Sequence, residues 1–537
     1  MQANKRAYRG RIVQMDATFT VLRDGIVWIE ANRIVAVADA IANAPSGFEH
    51  IQPIMTGGTI FPGLIELHNH LAYDVLRLWE VPKQYGNRGQ WQGTPEYQAL
   101  VSGPMKVLGK APGIAPAIAR YTEAKCLLGG TTTSQGLTLF SNSGIKRKYR
   151  GLIRNAEESL DSNLSDAMAR IPDYEAKDKE TFLRYLKNYK CFLLHLSEGI
   201  DESARNHFLS LEIEPDTWAI APSLTGIHCT ALQPEDFERL AQNGAGMVWS
   251  PLSNLMLYGK TAGIKAARSA GVRIGLGSDW SPTGSKNLLH EMKIAWRYSE
   301  LEGGVFSQRE VVAMATISAA GLLRWDRYLG SIETGKYADL IVVRGNGGDP
   351  YDSLLNADET GIDLVVVDGI PRCARPDLAA GFTTSSEPFE FTGEKRLINF
   401  DDAAADQAVA GLSLSAAEGA LQHAMSNLGT LADAINRMKP FAQGPADLAE
   451  QKEEWTLELD QDEPYDFNLR TRFDTAEPTS ATLRLSEDMV PMALPLTSLK
   501  PQKLDALTVA EDATYYQTLR AQRNISDVTK LALFPTL

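Results

Sequence analysis

The chain has 537 residues, of which 44% are hydrophobic and 22% charged, and its net charge is −14. This is the composition of an ordinary globular protein, and it excludes a mainly disordered chain. The acidic balance argues against a general affinity for nucleic acid or for an anionic membrane surface, and no apolar run is long enough to predict a membrane span.

Short β-strands are predicted on both sides of a central α/β region. Residues 1–60 and 326–375 carry short runs of β-branched and apolar residues between turn signals, and each flank is interpreted as a small β domain or half of one. Residues 61–325 alternate strand-like apolar runs with segments of helical spacing, as consecutive βα units do. The prediction for this central region is therefore a mainly parallel α/β fold.

Residues 376–537 hold most of the net charge. They carry 26 acidic and 13 basic side chains, so the rest of the chain is close to neutral. The stretch GFTTSSEPFEFTGE at the start of this segment is predicted as a linker, and LSAAEGALQHAMSNLGTLADAINRM has helical propensity and periodic apolar positions. We interpret the segment as an acidic, largely helical extension with a solvated surface; a lid, a dimerisation arm and a contact for a basic partner are the alternatives.

The cysteines and the N-terminus favour a cytoplasmic protein. No CxxC pair is present, which fits reduced thiols better than a disulfide or thiolate-zinc framework, and Cys229 is interpreted as a packing residue. The N-terminal stretch is basic but lacks the apolar segment of a secretory signal. The four cysteines are Cys126, Cys191, Cys229 and Cys373.

Two histidines, His68 and His70, follow the apolar run FPGLIEL. Residues i and i+2 of a strand point to the same side, so both imidazoles would face one cavity. Two neutral nitrogens directed at one point suit a divalent cation such as zinc, whereas a pair of partly exposed turn histidines is the alternative. The preceding apolar run favours the metal site.

His195 ends the apolar run CFLLH, and Glu198 follows three residues later. A single histidine in this position is commonly a hydrogen-bonded core residue. The carboxylate changes that interpretation, because hydrolysis by an activated water needs a proton acceptor beside the water. The pair predicts a strand-end ligand and a loop carboxylate that face one site.

Two further strand ends carry polar side chains. His228 ends WAIAPSLTGIH, where packing and function fit the sequence equally well, and Asp279 ends VRIGLGSD, where a turn or a helix N-cap would account for it alone. Four histidines in polar or helical contexts are interpreted as structural: His50, His207, His290 and His423.

The spacing of the strand ends connects these observations. His195 and His228 lie 33 residues apart, and a strand end near Ser250 and then Asp279 follow after about 22 and 29 residues. Each interval is about one βα unit. Consecutive parallel strands would therefore bring these side chains to the carboxyl end of one barrel, where barrel enzymes build their active sites.

In this order, the motifs resemble those of the amidohydrolase superfamily, specifically its cytosine deaminase-like and chlorohydrolase-like branch. That branch includes guanine and adenosylhomocysteine deaminases and triazine hydrolases. The resemblance covers residues 8 to 375 and does not reach the acidic segment. The matching pieces are PGLIELHNH, GGTTT, HLSE, GIHC, SPLSNLML, GLGSD and GSIETGKYADLIVV.

The resemblance implies an α/β fold with a distorted (β/α)8 TIM barrel at residues 61–325. It also implies a composite β-sandwich from residues 1–60 and 326–375, to which this chain adds the acidic extension at 376–537. The implied cofactor is one divalent metal ion, with zinc favoured over iron. The implied metal ligands are His68, His70, His195 and Asp279.

The resemblance also implies catalytic roles for Glu198, His228 and Asp279. Glu198 would carry a proton from the attacking water to the substrate, and His228 would hydrogen-bond the water or the developing oxyanion. The extra ligand of binuclear relatives, a carboxylated lysine at a strand end, is not expected. Lys146 and Lys148 lie in a basic stretch and Lys190 precedes a strand, so a single metal is predicted.

The predicted function is a metal-dependent hydrolase that attacks a C–N bond of a cyclic amidine or heterocycle, as a deaminase does. Hydrolysis of a cyclic amide or of a C–Cl bond is the enzymatic alternative, and an inactive scaffold is the alternative of another class. A scaffold is disfavoured because every candidate ligand is retained. The expected partner is a small-molecule substrate, with no nucleic acid and no membrane, and a homo-oligomer is left open.

The loop after His70 has no counterpart in the motifs above. It contains four large side chains, and we expect it either to close over an aromatic or heterocyclic substrate or to pack on the surface. These side chains are Trp79, Tyr85, Arg88 and Trp91.

Overall fold

The computed structural model describes residues 5–141, 145–170, 179–382, 386–402, 406–437, 454–459 and 494–535. Among the described residues, no helix combines the length and the apolar character that crossing a bilayer requires.

Two parallel sheets form the centre of the molecule. Most of their strands are short and mostly buried, as expected for parallel strands that are covered on both faces, and the clearest apolar runs among them are Phe192–Leu196 and Gly246–Trp249. One sheet has three strands in the order Leu64–Ile65, Thr131–Ser134 and Arg154–Asn155. The other has five strands in the order Met168–Arg170, Phe192–Leu196, Leu224–His228, Gly246–Trp249 and Arg273–Leu276.

Backbone hydrogen bonds link the two sheets at both of their edges. At one edge, the Ala167 amide donates to the Ala156 carbonyl over 2.8 Å. At the other, Asn69 and Asp279 form a parallel bridge, and the Asp279 amide donates to the His68 carbonyl over 2.9 Å. The strands thus follow one another around the core as in a TIM-barrel-like α/β fold, with their carboxyl ends on one side.

Helices connect the parallel strands and cover them. Local sequence sets where they begin: Ser307 and Glu310 form a capping box, in which the Glu310 side chain accepts from the Ser307 amide over 2.8 Å. The helices of this region are Pro95–Tyr97, Gly103–Leu108, Ile114–Leu128, Lys179–Asn188, Glu202–Leu209, Pro234–Gln242, Pro251–Tyr258, Ile264–Ala270, Leu288–Leu301, Gln308–Met314 and Ile317–Leu323. A π-helical turn at Gln98–Ser102 joins the first two.

Both flanks of the central region contribute to one nine-stranded sheet. The strand Leu340–Arg344 pairs antiparallel with Ile54–Pro62, with Val342 opposite Ile60. The strands follow the spatial order Glu387–Phe391, Glu394–Ile398, Ile370–Ala374, Ile362–Val367, Leu340–Arg344, Ile54–Pro62, Lys5–Val13, Val21–Glu30 and Arg33–Asp39.

This sheet extends beyond residue 375, where the sequence places its end, so that boundary and part of the predicted linker are wrong. The strands Glu387–Phe391 and Glu394–Ile398 form a hairpin at the edge of the sheet. Thr392 and Gly393, with φ of 48° and 80°, make its two-residue turn. Pro388 is accommodated because edge strands tolerate a missing backbone donor.

The C-terminal third contains further helices and one strand that joins the central region. Trp455–Glu458 pairs with Thr138–Ser141, which in turn pairs with Lys146–Lys148. Residues 438–453 and 460–493 lie outside the described residues, so a largely helical extension stays a prediction. The described helices are Leu414–Ser426, Leu428–Arg437, Tyr515–Ala521 and Asp527–Leu533.

The remaining elements are short. A hairpin pairs Glu212–Glu214 with Thr217–Trp218, and one further α-helix spans Pro350–Asn356. The 3-10 turns are Leu71–Val75, Arg88–Gln90, Glu359–Gly361, Pro376–Leu378, Gln407–Val409 and Leu496–Ser498.

Candidate metal centre

Strand ends deliver the candidate ligands to one place. The strand Phe192–Leu196 carries His195, and its neighbour Leu224–His228 ends on His228, with Leu196 opposite His228 in the register. Asp279 lies just beyond Arg273–Leu276. Because the strands are parallel, these side chains meet at the same edge of the sheet.

Backbone hydrogen bonds bring the paired histidines to Asp279. The Asp279 amide donates to the His68 carbonyl over 2.9 Å, and the His70 amide donates to the Asp279 carbonyl over 2.6 Å. One oxygen of Asp279, Oδ1, then lies 3.1 Å from His68 Nε2 and 3.4 Å from His70 Nε2. The two imidazoles and the carboxylate therefore face a common point.

His195 completes this group. Its ring centroid lies 4.6 Å from that of His68 and 5.5 Å from that of His70. The ligand atoms of these three histidines lie within 4.8 Å of one another. The structure thus brings together all four side chains that the sequence nominates as metal ligands.

The hydrogen bonding of His68 leaves one of its nitrogens available. Gln135 Oε1 lies 3.1 Å from His68 Nδ1 and also accepts from the Asn69 amide, so it can only accept from the ring and Nδ1 carries the proton. Nε2 is buried without a hydrogen-bond partner and presents a lone pair. A buried, unpaired imidazole nitrogen beside a carboxylate is what a metal ligand requires, so these residues fit a divalent ion.

The electrostatics of the site keep these ligands in their binding forms. Burial lowers the pKa of His68 and of His195, because an imidazolium is costly away from water. Burial alone would raise the pKa of Asp279, but the neighbouring imidazoles, His68 first among them, lower it below its usual range. These shifts favour the neutral imidazoles of His68 and His195 and the ionised carboxylate of Asp279.

Glu198 lies next to this group and is held from two sides. The hydroxyl of Tyr258 donates to Glu198 Oε1 over 2.7 Å and accepts from the Trp91 indole N–H over 2.9 Å. Glu198 Oε2 lies 3.6 Å from Arg88 Nε and 3.7 Å from His228 Nε2. The carboxylate is thus fixed in direction and points one oxygen toward His228.

A chain of amides and hydroxyls also sets the orientation of His228. Thr261 Oγ1 accepts from the Trp249 indole over 2.7 Å and from Asn254 Nδ2 over 3.2 Å. Asn254 Oδ1 therefore faces His228 Nδ1, 3.0 Å away, and accepts its proton. His228 Nε2 is left to accept a hydrogen bond on the side of Glu198.

The backbone is left-handed at three of these strand ends. His228 and Asp279 both have φ of 68°, and Ser197, next to His195, has φ of 53°. Residues with a side chain rarely adopt this left-handed conformation, and such strain persists where surrounding structure enforces it. Here it directs the strand-end side chains toward the common centre.

The loop after His70 contributes both to the site and to the core. Arg88 and Trp91 line the small pocket around the candidate centre, together with Trp280. Trp79 and Tyr85 are only 2% and 1% exposed and belong to the hydrophobic core. A larger cavity of about 600 Å³ adjoins His70 and His195, among other residues.

The lysines and the remaining candidates have other contacts. Lys146 donates to Glu458 and Lys148 to Glu157 at the rim of the larger cavity, so both amines are engaged in ion pairs. Cys229 is fully buried in the core.

Comparison with known proteins agrees with this geometry. A sequence model of the amidohydrolase family matches residues 59–372. The chain is 26% identical over 394 residues to a 5-methylthioadenosine/S-adenosylhomocysteine deaminase of Symbiobacterium thermophilum, covering 62% of this chain and 84% of the relative. It is 22% identical over 385 residues to a 5'-deoxyadenosine deaminase of Methanothermobacter thermautotrophicus, covering 65% and 89%.

Solved structures of similar fold support the barrel-like architecture. An adenosine deaminase from Xanthomonas campestris with bound zinc superposes with a TM-score of 0.52 at 16% identity, over 80% of this chain and 98% of that one. Atrazine chlorohydrolase from Arthrobacter aurescens TC1, complexed with zinc, gives a TM-score of 0.52 at 20% identity, over 68% and 94%. The family match extends over more than half of the chain and includes every candidate ligand, and the chain therefore belongs to the amidohydrolase family.

Proposed function

We propose that this protein is a metal-dependent aminohydrolase that uses water to cleave a C–N bond of a cyclic amidine or a related heterocycle. One observation carries the proposal: three imidazoles and one carboxylate, far apart in sequence, converge on a point beside Glu198 and His228. The deaminases among its relatives support the same reaction class.

We propose that the two parallel sheets form one distorted eight-stranded barrel with the nine-stranded sheet as a composite β domain. The hydrogen bond between Ala167 and Ala156 and the bridge between Asn69 and Asp279 support this closure. The composite domain would leave residues 399–537 as the acidic extension, since the sheet runs to Ile398.

A single divalent ion, zinc or iron, is proposed at the point that His68, His70, His195 and Asp279 face. A buried site of three imidazoles and one carboxylate has the donor set that zinc prefers. When bound, such an ion acts as a Lewis acid that lowers the pKa of water toward about 7 and so supplies a nucleophile at neutral pH.

Glu198 is proposed as the proton carrier. Its Oε2 lies toward His228, and its Oε1 is engaged by Tyr258. In this direction it accepts a proton from the attacking water and delivers it to a ring nitrogen or to the departing amine. Tyr258 and Arg88 hold the carboxylate in this direction, so that Oε2 faces the position of the attacking water.

His228 is proposed to position the attacking water. With its proton on Nδ1 and held by Asn254, the ring offers Nε2 as an acceptor. Accepting a hydrogen bond from water directs a lone pair of that water toward the substrate carbon.

The proposed substrate is a small, flat heterocycle. Trp91, Tyr97 and Trp280 line the pocket beside the ligands, and their rings lie 5.0 to 6.2 Å apart. Aromatic walls of this kind bury a planar ring and restrict it to few orientations. The adjoining cavity leaves room for a larger substituent.

A screen for ammonia release tests the proposal. Purified protein of measured metal content would be incubated with purines, nucleosides, pterins and triazines, with the Glu198→Gln variant as the control for contaminating deaminases. Ammonia from at least one class is expected. Release of chloride without ammonia would indicate a chlorohydrolase instead of a deaminase, and a ring-opened acid without ammonia would indicate a cyclic amide hydrolase. Protein with neither bound metal nor turnover would indicate an inactive scaffold.

A further inference from the structure

A buried cluster of charges joins the C-terminal segment to the barrel. Asp505 is 2% exposed and accepts hydrogen bonds from two lysines of the barrel region. Lys125 Nζ lies 2.6 Å from Asp505 Oδ2, and Lys286 Nζ lies 2.7 Å from Asp505 Oδ1. Both lysine side chains are 1% exposed, so Asp505 is placed between two buried cations.

Lys125 connects this cluster to the loops that carry the candidate ligands. Its amine also donates to the Ser281 hydroxyl over 2.7 Å and to the Asp74 carbonyl over 2.8 Å. Ser281 lies two residues after Asp279, and Asp74 lies four residues after His70. One ammonium group therefore holds together a loop from each side of the centre.

The Asp74 carboxylate adds hydrogen bonds within and between the same two loops. Its Oδ1 accepts from the Ser281 amide over 2.8 Å, and its Oδ2 accepts from Asn69 Nδ2 over 3.0 Å. Asn69 stands between His68 and His70 in the chain. Each of these residues is buried, so the network has a defined geometry rather than a solvated one.

Asp505 supplies the carboxylate that Lys125 contacts directly. A buried ammonium group without a counter-charge is costly, and it loses its proton or moves toward water. The Asp74 and Ser281 contacts of Lys125 use a carbonyl and a hydroxyl, which are neutral. Loss of the Asp505 carboxylate would leave Lys125 and Lys286 close together without the anion between them.

We propose that Asp505 is a positioning residue for the metal centre, acting through Lys125 on the loops that carry His70 and Asp279. The inference rests on the proposed function of these two residues as metal ligands. It assigns a role in metal binding to the C-terminal segment, because residue 505 belongs to that segment and lies more than 200 residues beyond the last ligand in the chain. Residues that orient metal ligands through hydrogen bonds commonly change metal affinity by 10- to 100-fold.

The test compares Asp505→Asn with Asp512→Asn in the full-length protein. Asp512 lies 3.3 Å from Lys286 on the outer side of the cluster and serves as the matched control. Zinc affinity would be measured by competition with a chromophoric chelator at a temperature well below the melting temperature of each variant. About tenfold weaker zinc binding is expected for Asp505→Asn, and wild-type affinity for Asp512→Asn.

A second pair of variants separates positioning from mere stability. Asp505→Asn combined with Lys286→Met removes one of the two lysines that lose the Asp505 carboxylate, so thermal stability should recover in part while zinc affinity stays low. Ser281→Ala cuts the link between Lys125 and the ligand loop without changing any charge. It should weaken zinc binding several-fold, and it tests the link even where Asp505→Asn does not fold.

The outcomes distinguish the positioning role of Asp505 from the proposed function. Wild-type zinc affinity in folded Asp505→Asn, or in Ser281→Ala, would overturn the positioning role while the proposed function stands. Absence of zinc binding by the wild-type chain would contradict the proposed function itself.

Discussion

The carboxylate of Glu198 lies between Tyr258 on one side and His228 on the other, and it is 5% exposed. In the proposed reaction, this buried acid next to the candidate ligands transfers the proton. Replacement by glutamine keeps the size and the hydrogen-bonding capacity but cannot accept a proton at neutral pH.

Glu198→Gln is therefore expected to lower kcat by about 10²- to 10⁴-fold, the usual contribution of a proton-transfer group, while the metal content stays unchanged. Ammonia release and elemental analysis of the same preparation would measure both. Glu202→Gln, at an exposed position four residues on, is the control. A Glu198→Gln protein of nearly normal rate would remove Glu198 from the mechanism.

Tyr258→Phe tests the orientation of the same carboxylate. The change removes the hydroxyl that donates to Glu198 over 2.7 Å, and a hydrogen bond to a charged group contributes about 1.5–3 kcal/mol. A decrease in kcat of about ten- to a hundredfold is expected, with little change in KM or metal content, because Tyr258 contacts Glu198 and not the ligands. An unchanged kcat in steady-state kinetics would show that Glu198 needs no such support.

The sequence predicts the central side chains of the site but not the residues that orient them. His195, His228 and Asp279 stand out because they end apolar runs at intervals of about one βα unit. His68 stands out because it forms an i, i+2 pair with His70 after an apolar run. Gln135 and Asn254 are amides in ordinary apolar contexts, and nothing in the sequence reveals which imidazole each one contacts. Their contacts depend on distances between elements that only the folded chain defines.

At the scale of elements, the barrel strands are packed closely enough that small residues become essential. Gly277 follows the strand Arg273–Leu276, and a Cβ atom there would lie 2.6 Å from His68 Cβ and 2.9 Å from the His68 carbonyl oxygen. Both distances are shorter than a Cβ atom tolerates, and the second is to a backbone oxygen, which cannot rotate away as the end of a side chain can.

Gly277→Ala is thus expected to displace the backbone at His68 and to weaken metal binding by at least about tenfold, a loss typical of misplaced ligands. Metal competition titrations would measure the change. Gly419→Ala, in open space on the exposed face of a helix, controls for the substitution itself. Equal metal affinities in the two variants would contradict the close approach of these strands.

The helix Leu414–Ser426 offers an independent test of the acidic extension. Gly419 lies in its interior, and alanine there is expected to stabilise the helix by about 0.5–1 kcal/mol because glycine loses more backbone entropy. Amide hydrogen exchange in this helix should slow by about two- to fivefold. Gly411, with φ of 73°, should respond in the opposite way, since alanine is strained there. Faster exchange in Gly419→Ala would show that the segment is not this helix.

Local patterns predict some strands and helices of the central region but not every strand between His70 and His195, and turn chemistry explains the error beyond residue 375. The runs around His195, His228 and Asp279 form parallel strands because apolar residues fill both faces. The hairpin that ends at Ile398 is missed because its strands are polar and contain Pro388. The Thr392-Gly393 pair is the turn signal in that stretch, but it lies among Ser, Thr and Pro residues that are equally typical of a linker.

At the scale of the molecule, segments remote in sequence meet to form both the sheet and the centre. The strand Ile54–Pro62 pairs with Leu340–Arg344, and Asp505 contacts Lys125. Contacts over such separations cannot be deduced from local patterns. The sequence therefore identifies a charged extension without indicating that one of its acids, Asp505, reaches the central region.

The proposed reaction depends on one metal ion at the point that His68, His70, His195 and Asp279 face. Anomalous diffraction at the zinc and iron absorption edges, on crystals of protein purified without chelator, locates such an ion and identifies the element. A single-metal centre predicts one peak, about 2.0–2.2 Å from a nitrogen of each histidine and from an oxygen of Asp279. A peak elsewhere, two peaks, or no peak with an otherwise ordered site would contradict it.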